Sequence, residues 1–125
     1  MPDVPSQDQR GLRLCRADEI PDGTARGFVF GQGAARLDFF VYRRGDRLLA
    51  YRNACPHQGT PLELFPDRFL TRDGGRFLCS THGAQFRIED GYCLKGPCKG
   101  KSLEPFAVEI DAGWILLPST LAQSR

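Results

Sequence analysis

The 125-residue chain has little of three things that usually announce a function. It has no apolar run near the roughly 18 residues of a membrane-spanning helix. The longest candidate near the C-terminus, Trp114-Ile115-Leu116-Leu117, stops at Pro118. It has no dominant charge: the formal net charge is +2, too weak to argue for nucleic acid. It has no charged-then-apolar opening either, since Met1 to Arg10 is polar, so export is not expected. Cysteine totals five, and an odd number argues against a secreted disulfide framework. These absences lead to the expectation of a soluble cytoplasmic protein whose cysteines serve metal or redox chemistry, or packing. Histidine is scarcer still, with two. Their positions say more about function than any bulk property of the chain.

The length suits one domain, and the apolar and charged fractions, 41% and 26%, are those of an ordinary globular protein. Fourteen Gly and nine Pro exceed the average share, so the chain turns often and long helices are not expected. The apolar pattern predicts strands. Arg36–Arg43 and Arg47–Tyr51 read as a hairpin across Arg44-Gly45-Asp46. Further hairpins are predicted for Arg68–Thr71 with Arg76–Leu78, Ala84–Ile88 with Tyr92–Leu94, and Pro105–Ile110 with Trp114–Leu117. Leu12–Cys15 and Gly27–Gly31 are predicted as strands, and Ala17–Ile20 as one short helix. The fold expected is all-β.

Both histidines lie beside cysteines. Cys55-Pro56-His57 sets a thiol and an imidazole two positions apart, and Cys79-Ser80-Thr81-His82 sets a second pair three apart. A glycine follows each pair, Gly59 and Gly83. Two such loops on neighbouring hairpins can converge on one four-ligand site, with donors suited to zinc or an iron–sulfur cluster. The glycines permit tight turns in which backbone N–H groups face sulfur. A single buried His or Cys is ordinary packing; two pairs that use every histidine in the chain are not. Zinc fingers carry cysteine pairs followed by histidine pairs. The mixed order here differs, although a zinc-binding structural domain stays as an alternative.

Cys55-Pro56-His57-Gln58-Gly59-Thr60-Pro61-Leu62 and Cys79-Ser80-Thr81-His82-Gly83-Ala84-Gln85-Phe86 resemble the two cluster-binding loops of Rieske proteins. In those centres two Cys hold one iron and two His the other. Gly91 and Gly96-Pro97 resemble the family's later turn and the proline loop that covers the cluster. The resemblance spans 12–117, and its specific part is 53–103. It implies antiparallel sheets with a small cluster-binding subdomain, about 53–98, inserted in a β base. The domain would run over 11–118, between flexible tails at 1–10 and 119–125. It also implies one [2Fe–2S] cluster, with Cys55 and Cys79 on the buried iron and His57 and His82 on the outer, reducible iron.

Departures from the family pattern narrow the branch. Rieske subunits of cytochrome bc complexes carry an extra Cys in each loop, joined as a disulfide; the matching positions here are Thr60 and Thr81. Those subunits also use a Ser and a Tyr hydroxyl as donors to sulfur, where this chain has Ala84 and Phe86. Donors to sulfur stabilise the electron-rich reduced state, so a low midpoint is expected, nearer about −150 mV than about +300 mV.

Three cysteines remain. Cys93 and Cys98 flank Leu94-Lys95-Gly96-Pro97 and read as two thiols, with a disulfide, auxiliary ligation or core packing as the other options. Cys15 reads as packing, and Trp114 as core of the base sheet. Lys95, Lys99 and Lys101 cluster at the proline loop, either as a solvated turn or as a docking surface for an acidic redox partner.

The resemblance implies a soluble Rieske-type ferredoxin, a one-electron carrier between a reductase and an oxygenase or similar acceptor. A small regulatory or electron-transfer subunit of a nitrite reductase-like complex is the alternative. A self-sufficient oxygenase would need a further iron held by two His and a carboxylate, and this chain has no histidines left for it.

Overall fold

Hairpin turns in the sequence set the strand order. The computed structural model describes residues 12–31, 33, 36–56, 59, 61–63, 67–80 and 83–117; both expected tails lie outside them. The strands are β1 (Leu12–Arg16), β2 (Ala25–Phe30), β3 (Leu37–Arg44), β4 (Arg47–Arg52), β5 (Arg76–Leu78), β6 (Gln85–Arg87), β7 (Cys93–Lys95), β8 (Glu109–Asp111) and β9 (Trp114–Leu117). They form three antiparallel three-stranded sheets, β1-β9-β8, β2-β3-β4 and β5-β6-β7. β3 meets β4 across a two-residue turn in which Gly45 takes φ +62°, as a hairpin of that length favours. Among the described residues there is no α-helix, and no helix is long and apolar enough to cross a membrane. The helix expected at 17–20 is a single 3-10 turn, Ala17–Glu19.

β3 explains the layering. Its four consecutive buried residues alternate faces, so a strand apolar on both sides must lie between two cores. Phe39 and Val41 join Cys15, Phe28, Ala50, Phe106, Ile115 and Leu117 in one core, against the β1-β9-β8 sheet. Phe40 and Tyr42 join Tyr51, Phe69, Phe77, Phe86 and Ile88 in the other, against the β5-β6-β7 sheet. Ring stacking fixes both: Phe39 on Phe106 at 4.1 Å and Phe40 on Phe69 at 4.5 Å between centroids. Gly27, opposite Phe40 on β2, leaves the space Phe69 fills, because a Cβ there would lie 3.1 Å from the Phe69 ring.

Two sequence expectations change. The segment predicted as one strand, 105–110, divides between sheets. Its first part runs beside β4, with Arg52 N–H donating to Glu104 C=O at 2.8 Å and Phe106 N–H to Ala50 C=O at 2.9 Å. Only Glu109–Asp111 pairs with β9. Trp114 is half-buried rather than core, while Ile115, Leu116 and Leu117 after it on β9 are all buried. Its ring instead carries the guanidinium groups of Arg13 and Arg16, at 4.8 and 5.5 Å from the centroid. Cys15 packs as expected, 3% exposed.

Tyr51 ties the central sheet to the β6–β7 hairpin: its buried hydroxyl donates to Ile88 C=O at 2.9 Å. Burial, aided by the carboxylates of Asp90 and Glu89, pushes its phenol up to about 12. The unfolded chain would release this proton near pH 10. Stability from this group is therefore complete below about pH 10 and drains as pH rises toward 12, by up to about 1.4 kcal/mol per pH unit. Tyr51→Phe is expected to lose about 1 kcal/mol at neutral pH and to flatten that alkaline slope. Urea unfolding of both proteins from neutral to alkaline pH checks this; parallel slopes would contradict it.

Candidate metal centre

The two cysteine loops share one local design. Cys55 follows β4 after Asn53-Ala54, and Cys79 follows β5 directly. In each, the cysteine carbonyl accepts the N–H of the glycine four residues on: Gly59 at 2.6 Å and Gly83 at 2.8 Å. Both glycines take φ +76°, a left-handed turn that a side chain would strain. Both thiols are fully buried within the same core. The loops are joined where Ser80 N–H donates to Leu62 C=O at 2.8 Å; within the second loop, Cys79 N–H donates to Ala84 C=O at 2.8 Å. His57 and His82, like Thr60 and Thr81, lie outside the described residues.

Sequence reasoning gave Asn53 no role, yet it anchors the first loop. It is 5% exposed, accepts from Leu62 N–H at 2.8 Å, and donates to Glu63 at 2.8 Å and Asp38 at 3.2 Å. An Asn two residues before Cys55 was the only signal in the sequence. A buried amide with its donors and acceptor engaged holds a loop against a sheet edge more firmly than apolar contact alone.

The turn after β7 closes over the second loop. Cys93 N–H donates to Lys101 C=O at 2.8 Å and Lys101 N–H to Cys98 C=O at 2.9 Å, which folds 96–101 back onto the strand. Gly96 abuts Ala84, whose Cα lies 2.7 Å from where a Gly96 Cβ would stand. Ala84 and Phe86 are fully buried and bring no hydroxyl into this core. Cys93 and Cys98 are buried free thiols with their Sγ atoms 3.3 Å apart. Burial, then the hydrogen bond with Cys93, pushes the Cys98 thiol up to about 12. Among the described residues no three of His, Cys, Asp and Glu converge as a metal site.

The donor chemistry fits an iron–sulfur cluster: two soft thiols, shielded from water, on matched glycine turns bound to each other. A family model of the Rieske [2Fe–2S] domain matches residues 11–115. The chain belongs to the Rieske [2Fe–2S] family. Its cofactor is accordingly one [2Fe–2S] cluster, and the zinc alternative falls away. The solved complex of reduced oxygenase and oxidized ferredoxin in carbazole 1,9a-dioxygenase contains a chain 30% identical to this Rieske protein. That match covers 90% of this chain and 95% of the other, with a TM-score of 0.66. The ferredoxin of carbazole 1,9a-dioxygenase from Nocardioides aromaticivorans IC177 is 21% identical, with 86% and 95% covered and a TM-score of 0.63. The Sphingomonas yanoikuyae B1 ferredoxin is 24% identical, with 86% and 96% covered and a TM-score of 0.61. The latter two likenesses establish the fold. A comparison with curated proteins gave no match.

Proposed function

We propose that this Rieske protein is a soluble cytoplasmic ferredoxin that carries single electrons from a reductase to an oxygenase and catalyses nothing itself. The observation that carries the reading is coverage. The chain spans 95% of its 30%-identical relative, a chain from a complex of oxygenase and ferredoxin. When bound, the cluster supplies a one-electron ferric–ferrous couple. Cys55 and Cys79 would hold its inner iron, and His57 and His82 the outer one. The domain is taken as 11–118, with 53–98 holding the cluster. With both histidines so assigned, no two-histidine, one-carboxylate iron site can be assembled from this chain.

Absorption and electron paramagnetic resonance of anaerobically purified protein, followed by reconstitution with a flavin reductase and a Rieske oxygenase, test this reading. A Rieske spectrum and accelerated electron delivery are expected. Colourless protein with stoichiometric zinc, or a loaded protein that leaves delivery unchanged, would overturn it.

Lys95, Lys99 and Lys101 are exposed, and none has an ion pair among the described residues. Three exposed ammonium groups beside the turn that abuts the second loop favour an acidic partner face. Reversing all three to Glu is expected to lower the association rate by about tenfold or more at low salt. The loss should fade as ionic strength rises. Stopped-flow electron transfer at several salt concentrations checks it, and equal rates at low salt would contradict it.

A further inference from the structure

Cys93 and Cys98 have no part in carrying electrons, yet they meet in buried surroundings at the turn after β7. Cys93 is wholly buried at the start of that strand, and Cys98 is 1% exposed in the turn. Their contact has a direction. Cys93 Sγ–H donates to Lys95 C=O at 3.3 Å, while Cys98 Sγ–H donates to Cys93 Sγ, also at 3.3 Å. A lone pair of Cys93 therefore faces the Cys98 sulfur. Sulfur atoms in a disulfide stand about 2 Å apart, so closure asks for a movement of about 1 Å. The backbone already gathers the two residues: Cys93 N–H donates to Lys101 C=O, and Lys101 N–H to Cys98 C=O. Burial is uneven along this turn, because Gly96, Pro97, Lys99 and Gly100 are exposed on both sides of Cys98. Lifting the one turn opens Cys98 to solvent without unfolding a sheet.

We propose that Cys93 and Cys98 form a redox modification site, which peroxide closes into a disulfide that staples the turn carrying Gly96-Pro97. Cys98, on the turn that lifts, meets the oxidant first. Its sulfur attacks one peroxide oxygen, the O–O bond breaks, and Cys98 becomes a sulfenic acid with release of one water. When the turn recloses, the Cys93 lone pair faces that sulfur and attacks it. The S–S bond forms, the S–O bond breaks, and the hydroxyl leaves with the Cys93 proton as a second water. Two thiols thus give two electrons to one peroxide, and a thiol reductant reverses the change. The bond ties β7 to a turn whose Gly96 abuts Ala84, and the Ala84 carbonyl accepts the Cys79 N–H. Stapling therefore steadies the loop that presents Cys79. That consequence rests on the reading of Cys79 as an iron ligand; formation of the disulfide does not.

Peptide mapping of the unaltered protein tests this. Loaded protein is treated with stoichiometric hydrogen peroxide and unfolded, its remaining thiols are alkylated, and its cysteine peptides are weighed. A Cys93–Cys98 disulfide, reversed by dithiothreitol, is expected at least about tenfold faster than any oxidation of Cys15. Cys15 is the control because it is buried in the other core, with no second cysteine among its described members. Recovery of both Cys93 and Cys98 alkylated would overturn the proposal; so would Cys98 carried on to sulfinic acid without a bond to Cys93. The staple has its own readout. Peroxide-treated, desalted protein should lose iron to a chelator about tenfold more slowly than dithiothreitol-reduced protein, since so small a ring restrains the open turn. Cys98→Ser, which cannot form the bond, should lose that difference. Equal rates for the oxidised and reduced forms of the unaltered chain would overturn the staple. A protein that binds no iron would fail the cluster reading, and its peptide map would still decide whether the pair closes.

Discussion

Cys79→Ala is expected to yield a colourless protein with almost no iron or acid-labile sulfide. The thiolate is the donor that an iron–sulfur cluster needs at this position. Cys79 is fully buried, so water cannot easily take the vacant place, and no third metal-binding group converges there among the described residues. A cluster held from Cys55 and Cys79 would also bridge two loops roughly 24 residues apart. By the entropy of loop closure such a link is worth about 3 kcal/mol, so thermal stability should fall with the colour. Cys15→Ala is the matched control. It removes an equally buried thiol from the opposite face of β3, in the core that touches neither loop. It should lose about 1–2 kcal/mol to the cavity and keep its full iron content. Iron and sulfide analysis of the two variants decides; full iron in Cys79→Ala would remove Cys79 from the ligand set.

How much of this was legible before the structure depends on the range of the interaction. Gly45-Asp46 and Ala112-Gly113 close their hairpins within two residues, and such turns are written in local sequence. The alternation of Phe39-Phe40-Val41-Tyr42 marked a strand, but not that its two faces belong to different cores. That depends on β1 pairing with β9, about a hundred residues away, which no local pattern encodes. Trp114 opens β9 half-buried while the three residues after it are buried, a difference that strand period alone does not predict. At the site, Cys55 and Cys79 were visible through their loops. Cys93 and Cys98 were visible as a spaced pair, while their burial in the core that holds Cys55 and Cys79 depends on how the chain beyond β6 packs. Tyr51 acts through one buried hydrogen bond to a distant carbonyl, and Asn53 through three, to Leu62, Glu63 and Asp38. Residue type alone does not announce such bonds.

Gly96→Val is expected to be the most damaging change outside the ligands. Two costs add. Gly96 sits at φ +108°, where any side chain is strained by about 1–3 kcal/mol. A Cβ would also fall 2.7 Å from Ala84 Cα, 3.1 Å from its Cβ and 3.2 Å from its N. Those neighbours include backbone, so the clash is not relieved by turning a side chain, and overpacking of this kind costs about 1–3 kcal/mol more. Ala84 cannot retreat freely, because its carbonyl accepts the Cys79 N–H at 2.8 Å and it directly follows Gly83, whose N–H bonds the Cys79 carbonyl. The strain therefore passes to the turn that presents Cys79, and the visible colour should bleach faster as well as the fold weaken. Gly100→Val isolates the second cost, since Gly100 has a similar φ of +94° but nothing within 4 Å of its missing Cβ. Denaturant unfolding should place Gly96→Val at least about 1 kcal/mol below Gly100→Val, with faster bleaching in air only for the former. Equal losses would mean that the loop carrying Gly96-Pro97 rests on Ala84 too loosely to govern the Cys79 turn.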